Sequence, residues 1–186
     1  MSFNLVISTG RGVEGKCIAE LKRVGELLSV DVRTFFTGFD GLLTGRVSMD
    51  PVEFSNKLRE VVTSGVFIPR FILKVVPIQE VVRTDVDEIV SKVVQMGNSM
   101  IAENETYKIE VRRRGVLFDR MAIIDRAAPQ IMRRVKLENP DKVIQVEVFP
   151  SKTGISVIRE SDIFSLLKVT VGGRQGGGDT THPGSE

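Results

Sequence analysis

Gly10-Arg11-Gly12-Val13-Glu14-Gly15-Lys16-Cys17 follows an apolar stretch, precedes a helical pattern, and nearly matches the nucleotide-binding P-loop, whose backbone N–H groups cradle phosphates. The match breaks at Cys17, because the residue after the lysine should offer a hydroxyl oxygen to magnesium and a soft thiol suits that hard ion badly. No apolar strand ending in a magnesium-holding aspartate accompanies the loop. The segment therefore reads as a glycine-rich strand-to-helix turn. A nucleotide hydrolase using Lys16 is the enzymatic alternative, closed if Lys16→Ala leaves nucleotide binding unchanged.

Other catalytic constellations are thin. Cys17 has no histidine to activate it except His182, near the C-terminal end, and reads as a buried structural thiol. One cysteine and one histidine in unrelated regions exclude a clustered Cys/His metal site. The carboxylates Asp85, Asp87 and Glu88 open a helix, where negative charge favours the dipole. No cofactor and no metal are expected.

What remains is a concentration of cations: Lys108, Arg112, Arg113, Arg114, Arg120, Arg126, Arg133, Arg134 and Lys136. Guanidinium forks bind phosphate oxygens through two parallel hydrogen bonds, which suits a nucleic-acid backbone. Arg112 and Arg114 share one face of a strand, while Arg126 and Arg133, seven apart, share one face of the helix expected after Asp119. An ordinary solvated face answering Glu105, Glu110, Asp119 and Asp125 would produce the same composition. Stacking aromatics are sparse, with Tyr107 and Phe118 the nearest, so recognition by shape and backbone fits better than base reading.

The elements that must position these residues are of mixed α+β class. FNLVIS, a helix with Ile18, Leu21, Val24 and Leu28, the β-rich runs VDVRTFF and GLLTGRV, a helix capped by Asp50-Pro51, and FILKVVPIQEVV give the order β-α-β-β-α-β, the split βαβ pattern of ferredoxin-like domains. This unit is placed at residues 1–80. A second, at 81–168, opens with Thr84-Asp85 capping a helix and continues with YKIEVRRR. In that strand Tyr107, Ile109 and Val111 face one way and Lys108, Arg112 and Arg114 the other. A helix bent at Pro129 and the strands KVIQVEVF and GISVIR follow. Residues 169–186, rich in glycine, read as a disordered tail.

The charge balance, +2 over 186 residues with a pI near 8.8, leaves any nucleic-acid reading to depend on where the cations sit. The N-terminus lacks a signal-peptide pattern, and the most apolar stretch, 67–82, is interrupted by Arg70, Lys74 and Glu80. A cytoplasmic protein with no membrane partner is expected.

YKIEVRRRG, then a helix, then VKLENPDKVIQVEVF and ISVI, resembles the THUMP domain of tRNA-modifying proteins over residues 84–168. FIPRFILKVVPI is similar to the linking strand of THUMP adaptors serving tRNA cytidine acetylation, and STGRG to how such chains begin. The resemblance implies an N-terminal ferredoxin-like domain and a THUMP domain that hold tRNA by its acceptor end. It implies as RNA-binding residues Arg112, Arg113 and Arg114 at the basic strand end, Arg120 beside them, and Arg70 and Lys74 on the linking strand, with Arg126 and Lys152 as further candidates. Arg133 joins them from the cation cluster. SDIFSLLK stands where many THUMP enzymes carry a Gly-Gly-Leu-Pro-like stretch, as in the acetylation adaptors. Only the tail follows Lys168, which leaves no expected room for a catalytic domain. The function expected is a non-catalytic adaptor presenting tRNA to a separate cytidine acetyltransferase for N4-acetylcytidine formation. The alternatives are an accessory subunit for tRNA methylation or thiolation, and a protein-interaction module without RNA binding.

Overall fold

A computed structural model describes residues 2–169, which form two five-stranded sheets. The first contains β1 (Leu5–Ser8), α1 (Glu14–Leu28), β2 (Val32–Phe36), β3 (Leu42–Val47), α2 (Pro51–Thr63) and β4 (Lys74–Pro77). Its strands lie in the order β4-β1-β3-β2, all antiparallel, as the split βαβ connectivity requires. Helix α2 starts where its chemistry says it should: Asp50 accepts from the Glu53 N–H at 3.0 Å, and Pro51 fills a position that needs no donor. Cys17, Leu21 and Val24 of α1 and Phe54, Leu58 and Val62 of α2 bury against Leu5, Ile7, Leu43 and Val75. Each large apolar side chain so covered contributes roughly 1.5–3 kcal/mol.

The second sheet has the order β5-β9-β8-β6-β7. It comprises β5 (Glu80–Arg83), β6 (Thr106–Arg113), β7 (Arg134–Val135), β8 (Lys142–Val148) and β9 (Lys152–Ile158), with α3 (Val86–Met100) and α4 (Met121–Ala127) on one face. β6 and β8 are parallel, so the chain between them must cross over, and α4 supplies that crossover. Ile89, Val90 and Val93 of α3 meet Tyr107 and Val111 of β6 and Ile144, Val146 and Val148 of β8 in one core. Asp85 caps α3 by accepting from the Glu88 N–H.

The helix-free faces of the two sheets pack on each other through Phe3, Val6, Leu42, Val76, Ile78 and Phe149. The approach is close: a Cβ added to Gly154 would lie 2.9 Å from both Ile78 and Phe3. No helix among the described residues is long and apolar enough to cross a membrane.

Three local expectations differ from what is observed. FILKVVPIQEVV is not one strand, because it breaks after Pro77, where Ile78 donates to the Asn4 carbonyl, and resumes as β5 in the second sheet. The helix expected after Asp119 and bent at Pro129 stops at Ala127; a short 3-10 turn carries Pro129, which has no N–H to continue an α-helix, and β7 follows. Finally, SDIFSLLK returns to the first sheet, where β10 (Phe164–Ser165) pairs with β4. Residues 170–186, expected as a tail, lie outside the described residues.

Candidate nucleic-acid interface

Strand alternation sends Lys108, Glu110 and Arg112 of β6 to the helix-free face, beside Val143 and Gln145 of β8. Lys74 of β4, Ser165 of β10, Ile163, Lys168 and Glu160 complete a cleft of about 180 Å³ between the sheets. Lys74 alternates with Val75, which sits in the first sheet's helix-covered core, so its side chain must point toward the second sheet. Burial holds the Lys74 ammonium below the ordinary lysine pKa, and the neighbouring Arg112 charge pushes the same way. Lys168 and Arg114 add to this, while Glu147 opposes it.

The pairing of these charges decides what the cleft can do. Lys108 lies 3.9 Å from Glu160, and Arg114 pairs with Glu147, whose other carboxylate oxygen accepts from Gln145 at 3.0 Å. Lys74, Arg112 and Lys168 have no ion-pair partner among the described residues. A half-buried ammonium beside two exposed cations is a site for an anion. The volume is below the ~300–1,000 Å³ usual for small-molecule pockets, which suits a phosphodiester better than a cofactor.

The remaining expected residues spread out. Arg113 is exposed and donates to the Phe118 carbonyl at 2.6 Å, and Arg120 stands at the start of α4. Arg70 is exposed on a segment whose backbone is pinned, since the Glu20 carboxylate accepts from the N–H groups of Arg70, Phe71 and Ile72. Lys152 is exposed at the start of β9, by the β8–β9 hairpin. Arg126 and Arg133 do not share a helical face, because α4 ends between them. Arg126 pairs with Asp87 at 2.7 Å, and Arg133 donates to the carbonyls of Asn98, Ile101 and Met132 around the end of α3. Two elements do converge, but they are β4 and β6. Lys108 and Lys168, absent from the expected contacts, join them; β6 alternation already put Lys108 beside Arg112, whereas no sequence signal marked Lys168.

The glycine-rich loop is filled from within. Glu14 accepts from the backbone N–H groups of Gly41 at 2.9 Å and Gly12 at 3.2 Å, so the Gly12 N–H already has a carboxylate acceptor, and these bonds lower the Glu14 pKa. Lys16 sits 5.3 Å from the Phe71 ring centroid. Cys17 is buried and its thiol is pushed up to about 11 by desolvation, which leaves it protonated near neutrality. Among the described residues no cluster of His, Cys, Asp and Glu could hold a metal ion.

The THUMP domain family model matches residues 83–158, the whole of the second sheet's framework apart from its first strand, so this segment is similar to a THUMP domain. Among solved structures the chain is similar to PH1313 from Pyrococcus horikoshii Ot3, at 16% identity and a TM-score of 0.64 over 85% of this chain and 55% of that one. It is similar to TrmN from Thermus thermophilus, at 14% identity and a TM-score of 0.58 over 84% and 45%. A 4-thiouridine synthetase solved with RNA and bound ATP matches at 15% identity and a TM-score of 0.57 over 88% and 42%. These identities establish the shared fold, and the chain spans about half the length of each. A search of curated proteins finds no match.

Proposed function

We propose that this chain is a tRNA-binding adaptor that presents tRNA to a separate cytidine acetyltransferase forming N4-acetylcytidine, and performs no catalysis itself. The observation that carries the RNA-binding part is the convergence in the cleft between the sheets of Lys74, Arg112 and Lys168, which have no ion-pair partner among the described residues. The THUMP match and the likeness to a synthetase solved with RNA support an RNA ligand; that it is tRNA held at its acceptor end draws on the resemblance of YKIEVRRRG and the segments after it to the THUMP domains of tRNA-modifying proteins. The acetylation branch draws on FIPRFILKVVPI, which resembles the linking strand of the acetylation adaptors, and on the Gly-Gly-Leu-Pro-like stretch that those adaptors and this chain, with SDIFSLLK in its place, both lack. A second reading, an accessory subunit for thiolation or methylation, draws on the similarity to the 4-thiouridine synthetase.

The test is tRNA binding across a salt series with the intact chain, Lys74→Ala and Arg112→Ala. Each variant should flatten the slope of log affinity against log salt by roughly 0.7–0.9 per lost phosphate contact, and tRNA trimmed at its 3′ end should bind more weakly. Unchanged slopes in both variants would remove the cleft from the interface, and no tRNA binding at low salt would favour a protein-interaction module. Mixing the chain with a cytidine acetyltransferase and following N4-acetylcytidine separates the two modification readings.

A further inference from the structure

Strand β7 covers the outer edge of β6 for only two residues, pairing Arg134 with Thr106 and Val135 with Tyr107. The last bond of this ladder runs from the Lys136 N–H to the Tyr107 carbonyl. In a parallel ladder both backbone groups of a residue point to the same side, so those of Ile109, two residues on, point to the edge that β7 has left. They have no hydrogen-bond partner among the described residues.

This free edge is not bare. It forms one wall of a groove of about 410 Å³ whose other walls are Met121 and Ile124 of α4, Val135 of β7 and Leu137. Leu137 is 74% exposed and Val135 49%, a poor arrangement for apolar side chains facing only water. Arg120 lines the groove, and Arg134 and Lys136 flank it in sequence; none of these has an ion-pair partner among the described residues.

We propose that this groove takes an extended segment of a partner protein, apolar at alternate residues and carrying carboxylates at its ends, which pairs with the free edge of β6 and lengthens the sheet. Unpaired backbone donors and acceptors beside apolar pockets are what strand addition uses: main-chain bonds supply affinity and alternate side chains supply specificity. The carboxylates answer Arg120, Arg134 and Lys136. An RNA backbone would find the phosphate contacts but leave the apolar walls uncovered. The proposal does not depend on RNA binding, although Lys108 and Glu110 line both this groove and the cationic cleft, so a docked segment would lie next to whatever the cleft holds.

The probe is a fluorescein-labelled peptide of alternating valine and threonine flanked by aspartates, titrated onto the intact chain. A second peptide of the same sequence, N-methylated at alternate backbone nitrogens, keeps the side chains but cannot pair as a strand. Saturable binding is expected, weakened at least about tenfold by N-methylation and by Met121→Glu or Leu137→Glu, two exposed positions where substitution spares the core. Both variants should keep the circular-dichroism spectrum and melting temperature of the parent, which shows that they fold, and its tRNA affinity. Absence of peptide binding, or equal binding of the N-methylated peptide, would overturn the proposal. So would self-association of the free chain abolished by Leu137→Glu, which would make the occupant a second copy, or loss of tRNA binding in these variants, which would make the groove an RNA surface.

Discussion

The guanidinium of Arg114 donates a hydrogen bond to the carboxylate of Glu147, a side chain that is only 1% exposed. The same guanidinium lies 5.1 Å from the centroid of the Phe149 ring, in the apolar seam between the two sheets. Arg114 thus stands where the sheets are clamped together, and its first effect is on the fold. Replacing it by alanine strands a buried carboxylate, which should cost about 3–5 kcal/mol in urea denaturation. Adding Glu147→Gln should recover part of that loss by removing the charge. A cost below about 1 kcal/mol, with tRNA affinity reduced all the same, would instead give Arg114 a direct role on phosphate.

How far the site was legible depended on whether its information was local. The alternation in YKIEVRRR announced a core row of Tyr107, Ile109 and Val111 against an outer row holding Lys108 and Arg112, and β6 presents them in that way. Asp50 and Asp85 marked helix starts for the same reason: a cap acts on residues three positions away. Lys168 belongs to the cleft only because SDIFSLLK returns to pair with β4, and a two-residue strand has no period to read. Pro77 did offer a sign that FILKVVPIQEVV would break, since a residue without an N–H sits poorly inside a sheet. The apolar run around it concealed that sign.

Arg133 illustrates how a cation in a basic cluster can be spent on its own chain. Its guanidinium donates to the carbonyls of Asn98 and Ile101 at 3.0 and 2.7 Å, groups that the end of α3 leaves without helical partners. Hydrogen bonds to a charged donor are worth roughly 1.5–3 kcal/mol, so Arg133→Ala should lower stability by about that amount. Because these donors already have acceptors, the slope of tRNA affinity against salt should stay at the parent value. A slope flattened as much as in Arg112→Ala would place Arg133 on the RNA.

Lys74 provides a pH signature that a surface lysine would not. Its pKa in the folded chain is depressed, by burial first and then by Arg112, so between the folded and unfolded values the unfolded chain holds the extra proton. Stability from this residue is therefore lowest at neutral pH and rises as pH climbs through the folded value toward the unfolded one. A phosphate in the cleft favours the charged ammonium and raises that pKa, so binding draws in a proton wherever Lys74 is otherwise neutral. Affinity for tRNA should accordingly begin to fall with rising pH below the ordinary lysine range. Arginine does not titrate there, so Lys74→Arg should keep the neutral-pH affinity within a few-fold and lose the early decline. Fluorescence titrations of both proteins across mildly alkaline buffers at constant ionic strength measure this directly. Parallel curves would mean that Lys74 carries no phosphate, leaving Arg112 and Lys168 to hold the ligand without it.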